Sequence, residues 1–541
     1  MATKSHLKRE AIGKASPKLF SPIRTTIETA FYRNNVIRIR TLEEAYNLAK
    51  NSPGTIVSDL PVYRPEEQGL PSDAKILMFN DGIITGRQAQ ARRIVEDDTL
   101  DTYSKIIRNG VYESRYATMY HATVIIGLHE DFMVKAHLLI PEGFENTLYS
   151  WMLNFQVYDE DTAAHYQNSK LIDEGDIFLY SDPDHFVDGF EEGLSIFDKD
   201  HNCGALFGLR YFGEHKKGSL TMAWTVAQRQ GYTACHGGQK RITLNNDKQF
   251  VMGVFGLSGS GKSTITHSKH HGKYDITVLH DDAFIISNND LSSVSLEPSY
   301  FDKVADYPTA SEDNQFLLTI QNVGATKDEA NMVVPVTEDI RNGNGRAVKS
   351  KFWTPERLYK FEEPVNAIFW IMKDDTLPPL IKVKNATLAS TMGATLATKR
   401  SSAEHGADTS KLAVVPYANP FRLYPLSSDY NKFKDLFETH GIDCYIINTG
   451  HFNTQKITPS MTLGAIESIV EDTVKWQPFA NTSQFDVAEV DQFMPDFSDQ
   501  AYKARFIERM QTRIDFLNDL NKKDQLPEEA TNSIKALIEE L

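Results

Sequence analysis

Gly256-Leu257-Ser258-Gly259-Ser260-Gly261-Lys262-Ser263 is a complete G-x-x-x-x-G-K-S run, and its reading decides the fold of this chain. Glycines let the backbone turn so that several N–H groups point at one set of phosphates. Lys262 supplies a point charge for the outer phosphates, and the Ser263 hydroxyl suits Mg²⁺. With Thr264, the run is the candidate nucleotide-binding segment. The flanks agree with this. Gln249-Phe250-Val251-Met252-Gly253-Val254-Phe255 reads as a buried strand running into the loop. A helix is expected to start at Lys262, its positive N-terminus under the anion. An ordinary glycine turn between strand and helix does not require all four fixed positions to be filled.

An acidic pair follows. Ile276-Thr277-Val278-Leu279 is a short β-branched run that leads into His280-Asp281-Asp282. Taken alone, an Asp pair at a strand end is usually a turn or a helix cap. Beside a phosphate loop it stands where a nucleotide-bound Mg²⁺ needs oxygen ligands.

The 541 residues allow one large domain or a few ordinary ones, and 41% apolar content can fill sizeable cores. The net charge of −16, from 73 acids and 57 bases, argues against nonspecific binding to nucleic acid or an anionic membrane. Cys203, Cys235 and Cys444 are odd in number, far apart and form no C-x-x-C pair. A disulfide framework or zinc site is therefore not expected, and a cytoplasmic location is. No apolar run approaches the ~18 residues of a membrane-spanning helix. Met1 to Lys18 is polar and basic without an apolar core, so it reads as a loose tail and not a secretory signal.

Thr41-Leu42-Glu43-Glu44 has capping-box spacing before a helical apolar pattern that Asn51-Ser52-Pro53-Gly54 ends. Lys75 to Ile84, Tyr120 to Leu139 and Met152 to Tyr158 read as strands, so the first ~230 residues look like a mixed sheet domain. After Gln249 strands and helices alternate. Thr398 to Lys411 is polar and reads as a surface loop, a candidate lid. Phe506, Met510, Ile514, Leu517 and Leu520 recur at helical steps and mark an amphipathic helix. His267, His270 and His271 lack a recognised zinc spacing and are expected to face solvent near the loop helix.

These fragments together resemble the ATP-dependent phosphoenolpyruvate carboxykinase family. The loop is similar to its G-L-S-G-T-G-K-T. Tyr211-Phe212-Gly213-Glu214-His215-Lys216-Lys217-Gly218 resembles Y-G-G-E-M-K-K-G, and His280-Asp281-Asp282 resembles G-D-D-E. Glu297-Pro298-Ser299-Tyr300-Phe301-Asp302-Lys303 resembles E-G-G-C-Y-A-K. Asn448-Thr449-Gly450 matches N-T-G, and Gly86-Arg87 matches the S-G-R of a substrate-binding motif. All six fall in the family's order, from about Thr85 to the C-terminus.

The resemblance implies a two-lobed, mixed α/β carboxykinase-like fold with its site in the cleft between lobes. Residues 1–230 would be the mixed-sheet substrate domain, and 231–541 the nucleotide- and metal-binding domain. It implies conversion of oxaloacetate and ATP to phosphoenolpyruvate, CO₂ and ADP, with Mg²⁺ on the nucleotide and Mn²⁺ as second metal. Lys217, His236 and Asp282 would bind Mn²⁺. Ser263 would bind Mg²⁺ directly and Asp281 through water. Lys262 and Lys303 would contact phosphates, with Lys456 on the adenine side and Lys216 beside the metal lysine. Arg87 and Tyr211 would hold the substrate, and Arg346 is a second candidate for a carboxylate or phosphate. A monomer without nucleic-acid or membrane partners is expected.

The chain departs from the pattern at several places. After Arg87 it reads Gln88-Ala89-Gln90-Ala91-Arg92, where the family has S-P-K-D-K. Phe212 replaces a glycine and would reshape or fill part of the substrate pocket. Ala283 replaces a glutamate, and Cys235-His236 reverses the family's His-Cys. The lid motif is not recognisable in Gly393 to Gly406, and Gln455-Lys456-Ile457-Thr458 lacks the arginine of G-K-R-I-S. These departures leave open a kinase of the same fold acting on another small acid or a protein, and a nucleotide-binding regulatory protein without turnover. Retention of Lys262, Ser263 and Asp282 argues against the last.

Overall fold

The computed structural model describes residues 21–83, 86–257, 259–308, 311–337, 344–399, 412–490 and 492–541. They form two compact mixed α/β units. One is built from residues 21–225 and 296–355, the other from 226–295, 356–399 and 412–541. Among the described residues the chain passes between the units near 226, 296 and 356. Residues 296–355 return because their strands Tyr300–Lys303, Arg346–Lys349 and Leu317–Gln321 extend the sheet of Lys75–Phe79 and Thr55–Pro61. Thr319 and Leu77 meet in that sheet although 242 positions apart, a distance that local patterns do not reveal.

The first unit's larger sheet orders its strands as Val36–Ile39, Met119–His129, Phe132–Pro141, Ile177–Asp182, Cys203–Phe207, Leu194–Asp198 and Arg92–Ile94. Parallel and antiparallel pairs mix. The Tyr120–Leu139 text is an antiparallel pair with a bulge at Gly127, whose φ of +95° and closeness to the Phe132 carbonyl exclude a side chain. These strands are buried on both faces, so they read as nearly continuous apolar runs. Met152 to Tyr158 departs from its strand reading. Met152 to Asn154 end the helix Glu145–Asn154, and only Gln156–Val157 is extended. That helix is buried all round, which erases the periodicity that would have identified it.

The second unit is centred on an eight-stranded sheet. Gln249–Phe255, Ala367–Met372 and Asp443–Asn448 run parallel at its middle. A four-stranded antiparallel sheet carries Tyr232–His236 and Ala283–Ser287. The expected helices are present. Leu42–Ala49 has its reciprocal capping box between Thr41 and Glu44. Gln500–Asn518 buries Phe506, Met510, Ile514 and Leu517. The candidate lid lies outside the described residues from 400 to 411. Among the described residues no helix is long and apolar enough to cross a membrane, and the three cysteines are free and buried.

One buried cluster in the first unit makes folding sensitive to pH. His121 Nε2 lies 3.0 Å from His137 Nδ1, and His137 Nε2 lies 3.0 Å from Asp176. Phe31 meets His121 edge-on and Phe178 stacks on His137. Burial pushes the His121 imidazole down to about 3, with His137 and Arg38 acting the same way. Burial also lowers His137, against the pull of Asp176, while Lys135 and Arg24 add to the lowering. An unfolded histidine takes up a proton near about pH 6.5 and these folded ones do not. Their stabilising contribution is thus complete above that pH and is lost as the pH falls toward about 3. Urea midpoints measured from pH 7.5 down to 5 should fall in the wild type and fall less in His121→Asn. An equal slope in the variant would rule this cluster out as the source.

Candidate active site

The phosphate loop leaves the C-terminal end of the central strand Gln249–Phe255, where open α/β sheets bind ligands. Gly259 and Gly261 have φ of +81° and +97°, which favours glycine at both positions. A side chain at Gly256 would strike Ser260. The Ser260 hydroxyl is buried and has no hydrogen-bond partner among the described residues. Lys373 Nζ donates to the Gly259 carbonyl and Thr449 Oγ1 to the Ser260 carbonyl, each at 2.7 Å. Both contacts engage oxygens whose negative ends would otherwise repel a phosphate. The helix starts at Lys262 as expected but runs only to His267. Its dipole is correspondingly small, so the loop amides and the Lys262 charge matter more. Ser263 and Thr264 are exposed at its start, and Ser258 lies outside the described residues.

The acidic turn is joined to this loop directly. Lys262 Nζ donates to the Asp281 carbonyl. Asp281 itself is buried and lies 3.1 Å from His267 Nε2. Burial alone would raise its pKa, but the His267 hydrogen bond and charge, with Lys262 and His280, hold it well below the usual carboxylate range. His280 is fully buried, and its Nδ1 accepts the backbone N–H groups of Asp282 and Ala283 at 3.0 and 3.1 Å. That assignment leaves the His280 proton on Nε2.

Asp282 points to His236, with Oδ1 3.0 Å from Nε2, and the Asp282 carbonyl accepts the Gly237 N–H at 3.1 Å. His236 Nδ1 donates to the Ala418 carbonyl at 2.5 Å, so that nitrogen carries a proton. Nε2 therefore faces the carboxylate either as an imidazolium or with a cation shared between the two. Ala418 and its neighbour Tyr417 have φ of 53° and 52°, an uncommon conformation outside glycine. Among the described residues no three His, Cys, Asp or Glu side chains gather as a metal site.

The first unit gathers the expected substrate residues by a different logic. Lys216 and Lys217 lie on the helix Phe212–Arg229. By ordinary exposure habits a lysine pair is solvated; here Lys216 is fully buried and Lys217 nearly so. Lys216 Nζ is 3.2 Å from Glu297, which also accepts from Asn154 Nδ2. Lys217 lies over the Trp224 ring. Glu214, from the same motif, accepts the Gln88 N–H at 2.7 Å, which ties the turn after Arg87 to this helix. Burial raises the Glu214 pKa while Arg92 and Arg87 act to lower it. Burial also pushes Arg92 down to about 10, against the pull of Glu214.

Tyr211 is buried next to Arg346. Burial raises its hydroxyl pKa, and the guanidinium draws it back. Arg346 is not a loop residue. It begins the strand Arg346–Lys349, is buried, pairs across the sheet with Lys303, and among the described residues keeps its Nη2 without a hydrogen-bond partner. A buried guanidinium nitrogen left open suits a carboxylate or phosphate oxygen. The Phe212 ring is buried edge-on against Phe301 at 5.3 Å.

Lys456 is exposed in the hairpin of His451–Phe452 and Gln455–Lys456. The histidine trio departs from its solvent expectation. His267 pairs with Asp281 and His270 is buried, while His271 is exposed. The roles of Glu214, His267 and His280 were not legible beforehand. A glutamate two positions ahead of the lysine pair and a histidine directly before the acid pair were the available signals for Glu214 and His280.

Comparison with known proteins gives the family. A phosphoenolpyruvate carboxykinase (ATP) from Aeropyrum pernix is 24% identical over 304 residues, 54% of this chain. The chain spans about 60% of the length of that curated relative. A family model described as phosphoenolpyruvate carboxykinase, of the ATP type, matches residues 61–499. That match takes in both the phosphate loop with its acidic turn and the segments that carry Arg87, Lys216 and Arg346, and the chain belongs to the ATP-type phosphoenolpyruvate carboxykinase family.

Proposed function

We propose that the chain converts oxaloacetate and ATP to phosphoenolpyruvate, CO₂ and ADP, as a cytoplasmic monomer with a gluconeogenic or anaplerotic role. The observation that carries this reading is the phosphate loop bonded through Lys262 to the Asp281–Asp282 turn, in a chain of this family. In the proposed division of labour, Arg87 and Tyr211 bind the substrate carboxylates. Arg346 offers its open nitrogen to a carboxylate or phosphate oxygen. Lys262, Lys303 and Lys456 contact the nucleotide, whose phosphates lie along Gly256 to Thr264.

The residues fit the expected divalent ions by donor chemistry. Asp281 is held ionised, the Ser263 hydroxyl is exposed, and His236 and Asp282 turn an imidazole nitrogen and a carboxylate oxygen toward each other. Hard oxygens with imidazole suit Mg²⁺ and Mn²⁺. Lys217, His236 and Asp282 are the proposed Mn²⁺ ligands, and Ser263 with Asp281 the Mg²⁺ ones. Bound there, the ions supply positive charge beside the enolate oxygen and the phosphate oxygens. Lys217 would bind a metal through a neutral amine, a form that the charge of a bound dication favours. Loss of CO₂ leaves its bonding electrons as an enolate, whose oxygen attacks the γ-phosphorus. Transfer then depends on alignment and charge neutralisation, without a covalent enzyme intermediate.

Purified protein given phosphoenolpyruvate, bicarbonate, ADP, Mg²⁺ and Mn²⁺ should form oxaloacetate, read as NADH oxidation by coupled malate dehydrogenase. No oxaloacetate under these conditions would promote a kinase with another acceptor. Lys262→Ala should lower kcat by about 10²–10³, the scale seen when one donor to transition-state charge is removed. Its urea midpoint should stay near wild type, and near-wild-type turnover would take Lys262 out of the mechanism. Lys217→Ala, His236→Ala and Asp282→Ala should each weaken Mn²⁺ binding in electron paramagnetic resonance titrations. Unchanged binding in His236→Ala would show that the reversed Cys235-His236 order is not equivalent to the family's.

A further inference from the structure

Behind the phosphate loop lies a buried polar chain that the proposed chemistry does not use. Lys240, on the strand Gly238–Thr243, is only 1% exposed. Its Nζ donates to the Ile265 carbonyl at 2.6 Å and reaches the Ser268 carbonyl at 3.4 Å and His270 Nε2 at 2.8 Å. His270 Nε2 accepts from the ammonium, so the imidazole proton sits on Nδ1. Nδ1 donates to Glu467 at 2.8 Å, on the helix Pro459–Val470. Lys273 pairs with Glu467 and Glu471, Tyr274 meets the His270 ring edge-on and donates to Glu471, and Lys269 stands nearby, itself paired with Glu356.

Ile265 and Ser268 close the short helix that carries Lys262 and Ser263 at its start. The last carbonyls of any helix lack partners within it, and in a six-residue helix those carbonyls belong to most of its length. One buried ammonium satisfies two acceptors at this end. Beyond it, His270 and His271 both take left-handed conformations, with φ of 47° and 55°. An apolar side chain is the ordinary occupant of such a sheet position, because a buried lysine costs desolvation unless fully bonded. Its presence here serves the helix end.

We propose that Lys240, tied through His270 to Glu467, is a positioning residue that fixes the phosphate-loop helix and thereby sets affinity for a nucleotide triphosphate. This rests on the nucleotide-binding part of the proposed function. Burial pushes the Lys240 ammonium down to about 7, while Glu467 pulls it up and Lys269 pushes it further down. The charged form is present below that pH and is lost as the pH rises through it.

The test is calorimetric titration of MgATP into the full chain between pH 6 and 8.5. Wild type should bind, and more weakly on the alkaline side. Lys240→Met should weaken binding about tenfold at pH 6.5 and flatten the profile. Lys240→Arg, which does not titrate here, should keep the affinity and stay flat. Glu467→Gln, at a partly exposed position, removes the acid that favours the ammonium and should move the decline to lower pH. It keeps the test decisive if Lys240→Met does not fold. Wild-type binding left unchanged by both Lys240→Met and Glu467→Gln overturns this inference alone. A wild type that binds no MgATP at any pH overturns the nucleotide reading and this inference with it.

Discussion

The candidate site of the second unit depends on one imidazole nitrogen. His280 Nδ1, on a fully buried ring, accepts two successive backbone N–H groups, of Asp282 and Ala283. Unpaired buried donors of this kind cost roughly 1–3 kcal/mol each. The bond fixes the turn, and the turn fixes its neighbours. The Asp281 carbonyl receives Lys262 and its carboxylate receives His267, so the phosphate loop is held at both ends of its short helix. Asp282 reaches His236 by its side chain and Gly237 by its carbonyl. The chain thus uses the His280 side chain to brace the turn.

The first unit solves a related problem with a buried ion pair. Lys216 and Glu297 are both inaccessible to solvent, and removal of either partner would strand a charge. Glu214 does similar work for the turn after Arg87, where it joins a loop amide to the helix Phe212–Arg229. Two acids spaced far apart in sequence therefore hold Lys216 and the turn after Arg87 in fixed positions. Fixed charges are what phosphoryl transfer needs, since little reorganisation is left for the reacting step.

What the sequence revealed was what is local. The phosphate loop is contiguous, its glycine conformations are demanded by backbone geometry, and its flanking strand is apolar, so its position and form were legible. The Thr41–Glu44 capping box and the Phe506 to Leu517 stripe were legible for the same reason. Long-range facts were not. Nothing near Leu296 announces that the chain returns to the first sheet. The fully buried helix Glu145–Asn154 carries no amphipathic signal. Arg346 reads as a loop residue until its strand pairing with Lys303 is seen. Solvent histidines and solvated lysines are sound averages, and both failed where a carboxylate from elsewhere in the chain waited: Asp281 for His267, Glu467 for His270, Glu297 for Lys216.

In the proposed reaction decarboxylation and phosphoryl transfer are two halves of one event, because the enolate that CO₂ would leave is the nucleophile. The most direct measurement is stoichiometric. Oxaloacetate and ATP, with Mg²⁺ and Mn²⁺, are given to the protein while CO₂, ADP and phosphoenolpyruvate are each quantified, with enzyme-free decarboxylation subtracted. Equal amounts of all three are predicted at every time point. ADP formed without CO₂, or CO₂ formed without ADP, would contradict the account.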